Sequence, residues 1–235
     1  RAGSKGMPNK NISMMCGHPL IAYSIAAALQ AELVSRVICS TDSQEIATVA
    51  TKYGAEVPFL RPVEFAEDDS TDLQVFQHAL GWMRDIEGYV ADLVVHLRPT
   101  APIRFEGDLD KGIRLLADAP ECESVRAVIP APANPYKMWR SDSSGLLKPL
   151  LQVPGTREPF NSPRQMLPEV WWQTGMLDIV RYSTITKKDS MSGDKILPFM
   201  ANSQYTFDID NKHSFNACEL VMREVTCIRP QYIES

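Results

Sequence analysis

The chain has 235 residues, of which 44% are hydrophobic and 23% charged, and its formal net charge is −5. This composition is typical of a folded protein with one sizeable core, and the acidic balance disfavours a nucleic-acid partner. No apolar run is long enough to span a membrane and no signal peptide is visible, so we expect no membrane association and a cytoplasmic location. The five cysteines include no Cys-x-x-Cys pair and are expected to be reduced thiols.

Residues 1–11 form a polar stretch that precedes an apolar, helix-forming run. Gly3 and Gly6 are expected where a Cβ would clash, which would leave N–H groups free to face an anion. The stretch carries three cations: Arg1, Lys5 and Lys10. We therefore predict a polyphosphate-binding loop, although its residue order is neither that of a Walker A loop nor that of a dinucleotide-binding loop. A glycine-rich surface loop with solvated lysines is the alternative. Such a loop normally follows a buried strand, so we expect one before Arg1.

Beyond the loop, apolar segments alternate between helix and strand character. Helices are predicted at residues 20–33, 44–53, 71–86, 107–116 and 211–225. Strands are predicted at residues 34–39, 57–60, 93–97, 124–129, 171–180, 196–201 and 205–207. This alternation predicts a three-layer α/β/α, Rossmann-like fold with a mostly parallel mixed sheet.

The alternation breaks down between Pro130 and Pro168, which contain eight of the seventeen prolines. The segment also carries aromatic residues such as Tyr136, Trp139 and Phe160, so we interpret it as an excursion from the sheet rather than a linker. Apolar side chains on an irregular excursion need burial, and a partner subunit can supply it. We therefore predict a single domain over residues 1–235, with residues 130–172 as a dimerisation insertion, and a homodimer.

The sequence Asp208-Ile209-Asp210 is the second candidate site. Alternate residues of an extended segment point to the same face, so both carboxylates can aim together. They would repel each other unless a cation lay between them, and Mg²⁺ binds one or two carboxylates and completes its octahedron with phosphate and water. The alternative is a solvated strand end with Asp210 as the cap of the last helix.

Two arginines, Arg98 and Arg104, flank Pro99-Thr100-Ala101-Pro102 just after a predicted strand. In open α/β sheets, ligands bind beyond the carboxyl ends of strands. Arg98 could pair with a carboxylate of a ligand, or form a structural ion pair. Asp69-Ser70 precedes a helix and could simply cap it.

The motif Arg-x-Gly-Ser-Lys-Gly-x-x-x-Lys-Asn at residues 1–11 resembles the signature loop of the acylneuraminate cytidylyltransferases (CMP-N-acetylneuraminic acid synthetases). Further blocks resemble that family in the family's order: residues 40–42, 52–58, 98–104, 135–138 and 208–210. The resemblance runs from Arg1 to about Glu219. It implies the nucleotide-diphospho-sugar transferase fold, and an enzyme that couples CTP to a 2-keto sugar acid with Mg²⁺, giving the CMP-sugar and pyrophosphate.

The resemblance also implies roles for individual residues. Arg1, Lys10 and Asp210 would be catalytic, and Asp208 and Asp210 would bind the metal. Substrate would be bound by Gly3, Ser4, Lys5, Asn11, Ser70, Arg98, Thr100, Arg104, Lys137 and Arg164. Lys137 and Arg164 would reach the sugar site of the partner subunit, so that active sites are shared; both could equally be solvated surface charges.

The chain departs from the sialic acid enzymes at positions that face the sugar. Arg98 stands where those enzymes have Gln, and Ala101 where they have Ser. Gln173-Thr174-Gly175-Met176 is a third departure. The alternatives are therefore a nucleotidyltransferase for an octulosonate or a sugar 1-phosphate, and a non-catalytic nucleotide-binding protein of the same fold.

Overall fold

A computed structural model of the chain describes residue 3 and residues 6–232, and this part contains six α-helices and eight β-strands. The helices are α1 Leu20–Gln30, α2 Gln44–Lys52, α3 Asp72–Glu87, α4 Asp108–Ala117, α5 Tyr182–Lys187 and α6 Lys212–Glu224. The strands are β1 Met14–Met15, β2 His18–Pro19, β3 Leu93–His96, β4 Ser124–Pro130, β5 Trp139–Ser141, β6 Leu147–Pro149, β7 Trp171–Arg181 and β8 Ile196–Met200.

The main sheet has four strands in the order β3-β7-β4-β8. β7 runs antiparallel to β3, with Val95 opposite Ile179. A parallel bridge joins Ile38 to Glu56 outside the named strands. Pairing therefore occurs in both directions, and the predicted α/β class with a mixed sheet is confirmed. The remaining strands form two-stranded ribbons, β1 with β2 and β5 with β6.

Helices pack on both faces of this sheet, because neighbouring side chains of β7 belong to different apolar clusters. Leu177 and Ile179 belong to a core with residues of α1 and α4, whereas Val180 belongs to a separate cluster with Leu80 of α3 and Ile185 of α5. Successive side chains of a strand point to opposite faces, so α1 with α4 and α3 with α5 cover opposite sides of the sheet. The three-layer arrangement follows from this division of apolar residues.

Two segments predicted as strands, residues 34–39 and 57–60, do not form regular strands. The first segment makes an isolated parallel bridge from Ile38 to Glu56, the residue just before the second segment. There the Cys39 N–H donates to the Glu56 carbonyl at 2.9 Å, and the Glu56 N–H donates to the Val37 carbonyl at 2.8 Å. Pro58, two residues after Glu56, has no N–H with which to continue the ladder. The pairing is therefore too short to count as a strand.

The segment predicted as a strand at residues 205–207 is also irregular. Ser203–Tyr205 form a 3-10 turn, in which the Asn202 side chain accepts a hydrogen bond from the Gln204 N–H at 3.0 Å. Asn favours such side-chain-to-backbone bonds over extended pairing. After this turn the chain reaches Asp208 without regular secondary structure.

The chain divides into two units, Arg1–Ala127 with Thr174–Ser235, and Val128–Gln173. The second unit contains the β5–β6 hairpin and a contact between Trp139 and Phe160, whose ring centroids lie 4.5 Å apart. It also exposes several large apolar side chains: Trp139, Leu146, Leu147, Leu150, Met166 and Trp172. Its bounds lie close to those of the predicted excursion, whose role in dimerisation stays a prediction.

None of the helices among the described residues combines the length and apolar character that a bilayer crossing requires.

Candidate active site

The loop before α1 is a compact turn from Met7 to Ser13. Lys10–Ile12 form a 3-10 helix, and Asn9 before it adopts a left-handed conformation with φ of 52°. The Lys10 N–H donates to the Met7 carbonyl at 3.2 Å, and the Ile12 N–H to the Asn9 carbonyl at 3.0 Å. These bonds give the loop a defined shape. Asn11 is half-buried within it, and three predicted site residues, Arg1, Ser4 and Lys5, lie outside the described residues.

This loop contacts the Asp208–Asp210 segment, although about 200 residues separate the two in sequence. The Lys10 ammonium donates a hydrogen bond to the Ile209 carbonyl at 2.7 Å. A Cβ on Gly6 would lie 2.3 Å from the Asp210 carbonyl oxygen, far inside contact distance. Gly6 is therefore required by close approach of two backbones, and the fold unites the two candidate sites.

Gly3 differs from Gly6 in this respect. A Cβ on Gly3 would meet no described atom within 4 Å, and the residue is exposed. The expectation that a side chain at Gly3 would clash is therefore corrected for this conformation of the loop.

Asp208 and Asp210 are both exposed and flank Ile209, which is fully buried. The Ile209 N–H donates to the Thr100 carbonyl at 2.9 Å, which attaches this segment to the loop after β3. The alternation of exposed, buried and exposed residues agrees with the expected extended geometry. Thr100 thus takes part through its backbone.

The cap of α6 is Asn211, not Asp210. The Asn211 side chain accepts a hydrogen bond from the Ser214 N–H at 3.0 Å, and the Ser214 hydroxyl in return approaches the Asn211 N–H at 3.2 Å. This reciprocal pair satisfies the first turn of the helix. The alternative in which the Asp210 carboxylate serves as the helix cap is therefore wrong.

The donor set at Asp208 and Asp210 fits Mg²⁺ rather than zinc. No cluster of three or more His, Cys, Asp or Glu side chains suited to a metal occurs among the residues that the structure describes. Structural and catalytic zinc sites require three or four protein ligands, whereas Mg²⁺ uses one or two carboxylates and takes its other ligands from phosphate and water. Two exposed carboxylates beside a candidate phosphate loop match the second case.

Arg104 is fully buried, which revises its expected role as a substrate ligand. Its guanidinium donates to the Met176 carbonyl at 2.8 Å, to the Ser24 hydroxyl at 3.2 Å and to the Arg98 carbonyl at 3.0 Å. Burial lowers the pKa of Arg104 to about 9, and the nearby Asp108 carboxylate opposes this shift, so the charge is kept at pH 7. Arg104 joins α1, β7 and the loop after β3, and is a structural residue.

Arg98 forms the structural ion pair that was the alternative interpretation. One guanidinium nitrogen donates to Asp178 at 2.6 Å and another to Asp72 at 3.0 Å. Asp178 also accepts from Arg126 at 2.9 Å. His96 lies opposite Asp178 on β3, and burial lowers its pKa to about 4, with the Arg98 charge adding to the shift. His96 is therefore neutral and adds no charge to this network.

Sequence reasoning missed Asp178, Asp72 and Arg126. A signal for Asp178 was present, because it is the only charged residue in Met176-Leu177-Asp178-Ile179-Val180, an otherwise apolar run in a buried strand. A carboxylate at such a position needs a cationic partner. The sequence does not indicate which of the chain's 24 basic residues supplies it.

Ser70 does not cap α3. The cap is Thr71, which forms a reciprocal pair with Gln74, while the Ser70 hydroxyl donates to the Glu64 carbonyl at 3.2 Å. Ser70 lines a cavity of about 270 Å³ whose wall also includes Arg61 and Asp72. Its position at a cavity is compatible with a ligand contact, which stays a prediction.

Lys137 and Arg164 belong to the second unit. Lys137 is exposed at the end of a short 3-10 helix, Pro135–Lys137. Arg164 is exposed and donates to the Ala131 carbonyl. Both cations are available to a partner, and their service to a neighbouring active site stays a prediction.

Comparison with known proteins agrees with this geometry. A family model described as cytidylyltransferase matches residues 1–134. The chain belongs to the cytidylyltransferase family. This cytidylyltransferase is therefore a nucleotidyltransferase, and the matched region contains the loop, Ser70 and the Arg98–Arg104 segment. The predicted family is confirmed.

Two of the curated relatives described here match nearly the whole chain, and a third matches about half of it. A CMP-N,N'-diacetyllegionaminic acid synthase of Campylobacter jejuni is 31% identical over 225 residues, covering 94% of this chain and 92% of its own. A post-translational flagellin modification protein B of Campylobacter coli is 30% identical, with 95% and 92% coverage. An N-acylneuraminate cytidylyltransferase of Escherichia coli is 37% identical over 54% of this chain and 29% of its own.

Solved structures show the same fold at low sequence identity. A CMP:2-keto-3-deoxy-manno-octonic acid synthetase complexed with CTP superposes with a TM-score of 0.69 at 15% identity, and covers 95% of both chains. A 4-diphosphocytidyl-2C-methyl-D-erythritol synthase from Anaerococcus prevotii has a TM-score of 0.61 at 10% identity, with 91% and 93% coverage. These similarities confirm the nucleotidyltransferase fold.

Proposed function

We propose that this cytidylyltransferase transfers CMP from CTP to a nonulosonic 2-keto sugar acid in a Mg²⁺-dependent reaction. The observation that carries the proposal is the contact between the two candidate sites. Lys10 bonds the Ile209 carbonyl at 2.7 Å, and Gly6 lies against the Asp210 carbonyl. A polyphosphate held by the loop would lie beside both carboxylates, Asp208 and Asp210, which are the residues that would hold Mg²⁺.

The relatives support the choice of acceptor. The legionaminic acid synthase of Campylobacter jejuni matches nearly the whole chain, and the pseudaminic acid cytidylyltransferase of that species is 40% identical over 103 residues. Both names describe nine-carbon sugar acids. The acceptor class follows from these names, and the particular acid is left to the assay.

In the proposed reaction, the anomeric hydroxyl of the sugar acid attacks the α-phosphorus of CTP. A new P–O bond forms, the bond between the α-phosphorus and the bridging oxygen breaks, and pyrophosphate leaves. Lys10 and the loop N–H groups bind the triphosphate, and Asp210 holds the water that accepts the hydroxyl proton. Asp208 and Asp210 would hold Mg²⁺, which would supply charge neutralisation at the phosphates and a lower pKa for the attacking hydroxyl. Positioning supplies most of the acceleration in such a transfer.

The deciding experiment measures pyrophosphate release with CTP and a panel of acceptors, with and without Mg²⁺. The panel contains N-acetylneuraminate, N,N'-diacetyllegionaminate, pseudaminate, an octulosonate and a sugar 1-phosphate. Release with a nine-carbon acid, abolished by EDTA and restored by Mg²⁺, supports the proposal. Pyrophosphate release with only the octulosonate or only the sugar 1-phosphate would identify that compound as the acceptor in place of a nine-carbon acid. No release with any acceptor would favour a nucleotide-binding protein without catalysis.

We further propose a homodimer built through the second unit. Leu146, Leu147 and Met166 are each about two-thirds exposed or more, as is typical of apolar side chains that a partner covers. In this arrangement, the exposed cations Lys137 and Arg164 act at the neighbour's sugar site.

A further inference from the structure

Arg98 has two carboxylate partners that differ in exposure. Its Nη1 donates to Asp178 at 2.6 Å, and the Asp178 side chain is 2% exposed. Its Nη2 donates to Asp72 at 3.0 Å, and the Asp72 side chain is 55% exposed. One guanidinium therefore has an inner edge fixed in the protein and an outer edge paired with a solvated group.

The inner ion pair, between Arg98 and Asp178, stays intact when the outer pair separates. The Asp178 carboxylate also accepts from Arg126 Nε at 2.9 Å, so one buried anion holds two guanidinium groups. Breaking such a pair would leave a buried charge without compensation, which is strongly unfavourable. Arg98 thus lies between two carboxylates, the buried Asp178 and the exposed Asp72.

The outer pair is exchangeable. An ion pair with a half-exposed carboxylate contributes little free energy, because water solvates the separated groups nearly as well. Asp72 is the first residue of α3, and the cap of that helix is supplied by Thr71 and Gln74. Without Arg98, Asp72 still interacts favourably with the amino end of the helix.

Both members of the outer pair reach solvent, since the Arg98 side chain is 27% and the Asp72 side chain 55% exposed. Asp72 also lines the cavity of about 270 Å³ whose wall includes Ser70 and Arg61. The same cavity is bordered by Glu67, whose carboxylate can accept hydrogen bonds from the hydroxyl groups of a ligand and repels additional negative charge. A polyol with one carboxylate suits these surroundings better than an inorganic anion.

Gly175 leaves room for the aliphatic part of Arg98. A Cβ at this position would lie 3.3 Å from Arg98 Cδ and 3.6 Å from the Ala101 Cβ. The first distance is tighter than ordinary van der Waals contact. Two small residues, Ala101 and Gly175, thus accompany the arginine at position 98, and of these Ala101 is a departure from the sialic acid enzymes.

We propose that the carboxylate of the acidic sugar binds the outer edge of Arg98 by displacing Asp72, and that Asp178 positions Arg98 for this exchange. The proposal rests on the proposed function and names the group that recognises the acceptor. Asp72 acts as an internal competitor: it keeps Arg98 neutralised in the free enzyme and leaves when a ligand carboxylate arrives.

Titration calorimetry with the preferred sugar acid and its methyl ester tests the exchange. Asp72→Asn removes the competitor, so the dissociation constant of the acid falls about threefold while that of the ester is unchanged. Asp69→Asn, the same charge change three residues earlier, leaves both constants unchanged. Equal effects of Asp72→Asn on acid and ester, or the same effect from Asp69→Asn, would overturn the proposal, as would weaker binding of the acid in Asp72→Asn.

Variants of Arg98 and Asp178 form the second part of the experiment. Arg98→Gln abolishes the preference for the acid over the ester, and Arg98→Lys retains part of it. Asp178→Asn raises KM for the acid with a small change in kcat, as expected for a positioning residue. If Asp178→Asn does not fold, Arg98→Gln alone decides, because it acts at the exposed edge.

The two hypotheses fail in different ways. Pyrophosphate release without an effect of Asp72 or Arg98 on acid binding would contradict only the exchange. Selective acid binding without release, for any nucleotide, would contradict only the proposed activity. Absence of binding by every acid of the panel would overturn both.

Discussion

The buried residue between Asp208 and Asp210, Ile209, fixes the backbone that carries both carboxylates. Ile209 is fully buried, so the two carboxylates are held outward on either side of an anchored backbone whose carbonyl bonds Lys10 and whose N–H bonds Thr100. The pair is oriented by main-chain contacts, which leaves the carboxylate oxygens available to a metal.

We expect Asp208→Asn and Asp210→Asn each to lower kcat by at least about a hundredfold, because a positioned cation at the reacting phosphate is lost. Folding should survive, since neither carboxylate supports the backbone contacts of Ile209. Pyrophosphate release at saturating Mg²⁺ and CTP measures the effect. Asp118→Asn, an exposed aspartate at the end of α4, is the control. Near-normal turnover in both site variants would contradict the metal assignment.

At the scale of elements, the loop and the segment before α6 behave as one unit. Gly6→Ala would place a Cβ 2.3 Å from the Asp210 carbonyl oxygen and force the backbones apart, whereas a Cβ at Gly81 in α3 meets no described atom. We expect Gly6→Ala to weaken binding of a non-hydrolysable CTP analogue at least about tenfold in calorimetry, through displacement of the loop. The control, Gly81→Ala, should bind within about twofold of wild type. Equal losses in both variants would mean that contact with Asp210 is not the reason for glycine.

A second element-scale contact fixes the start of β8. The Glu123 carboxylate pairs with Lys188 and accepts hydrogen bonds from the Asp194 N–H at 2.5 Å and the Lys195 N–H at 3.2 Å. The Lys188 ammonium, followed by these two N–H groups, lowers the pKa of Glu123 from 4.5 to about 2. The folded-state pKa is depressed, so the stabilisation is complete at neutral pH and is lost as pH falls from 4.5 towards 2.

Glu123→Gln should therefore have a lower Tm than wild type at pH 7, with a difference that narrows between pH 4.5 and pH 2. Glutamine can still accept the two N–H groups, so the difference reports the charge. Thermal unfolding across this range measures it, and Glu121→Gln, an exposed neighbour, should show no such narrowing. A constant gap at all pH values would exclude the ion pair as its cause.

At the scale of the whole molecule, the exposed apolar side chains of the second unit predict a homodimer with shared active sites. Lys10→Ala and Arg164→Ala subunits should each be inactive alone. Mixed after subunit exchange, they should recover part of the activity, because one site in each hybrid dimer keeps both residues. Light scattering and the specific activity of purified hybrids are the measurements. A monomer, or confirmed hybrids without recovery, would place Arg164 outside the active site.

The sequence by itself determined the α/β class, nearly all the helices, the central strands and the polar loop, because these depend on local periodicity and on glycine, proline and capping residues. It also singled out Asp208 and Asp210, since a spacing of two is itself a geometric statement. The sequence left open whether Asp210 caps α6. In the structure Asn211 is the cap, because its side chain accepts a hydrogen bond from the Ser214 N–H.

Only the tertiary structure decided which distant groups meet. Arg98 and Arg104 are six residues apart and similar in sequence context. Arg104 is nevertheless fully buried, whereas Arg98 keeps one edge of its guanidinium towards solvent. Burial and ion pairing depend on contacts between β3, β7 and α3, which no local pattern encodes. For the same reason, the pairing of Asp178 with Arg98 and the bond from Lys10 to Ile209 became visible only once the chain was folded.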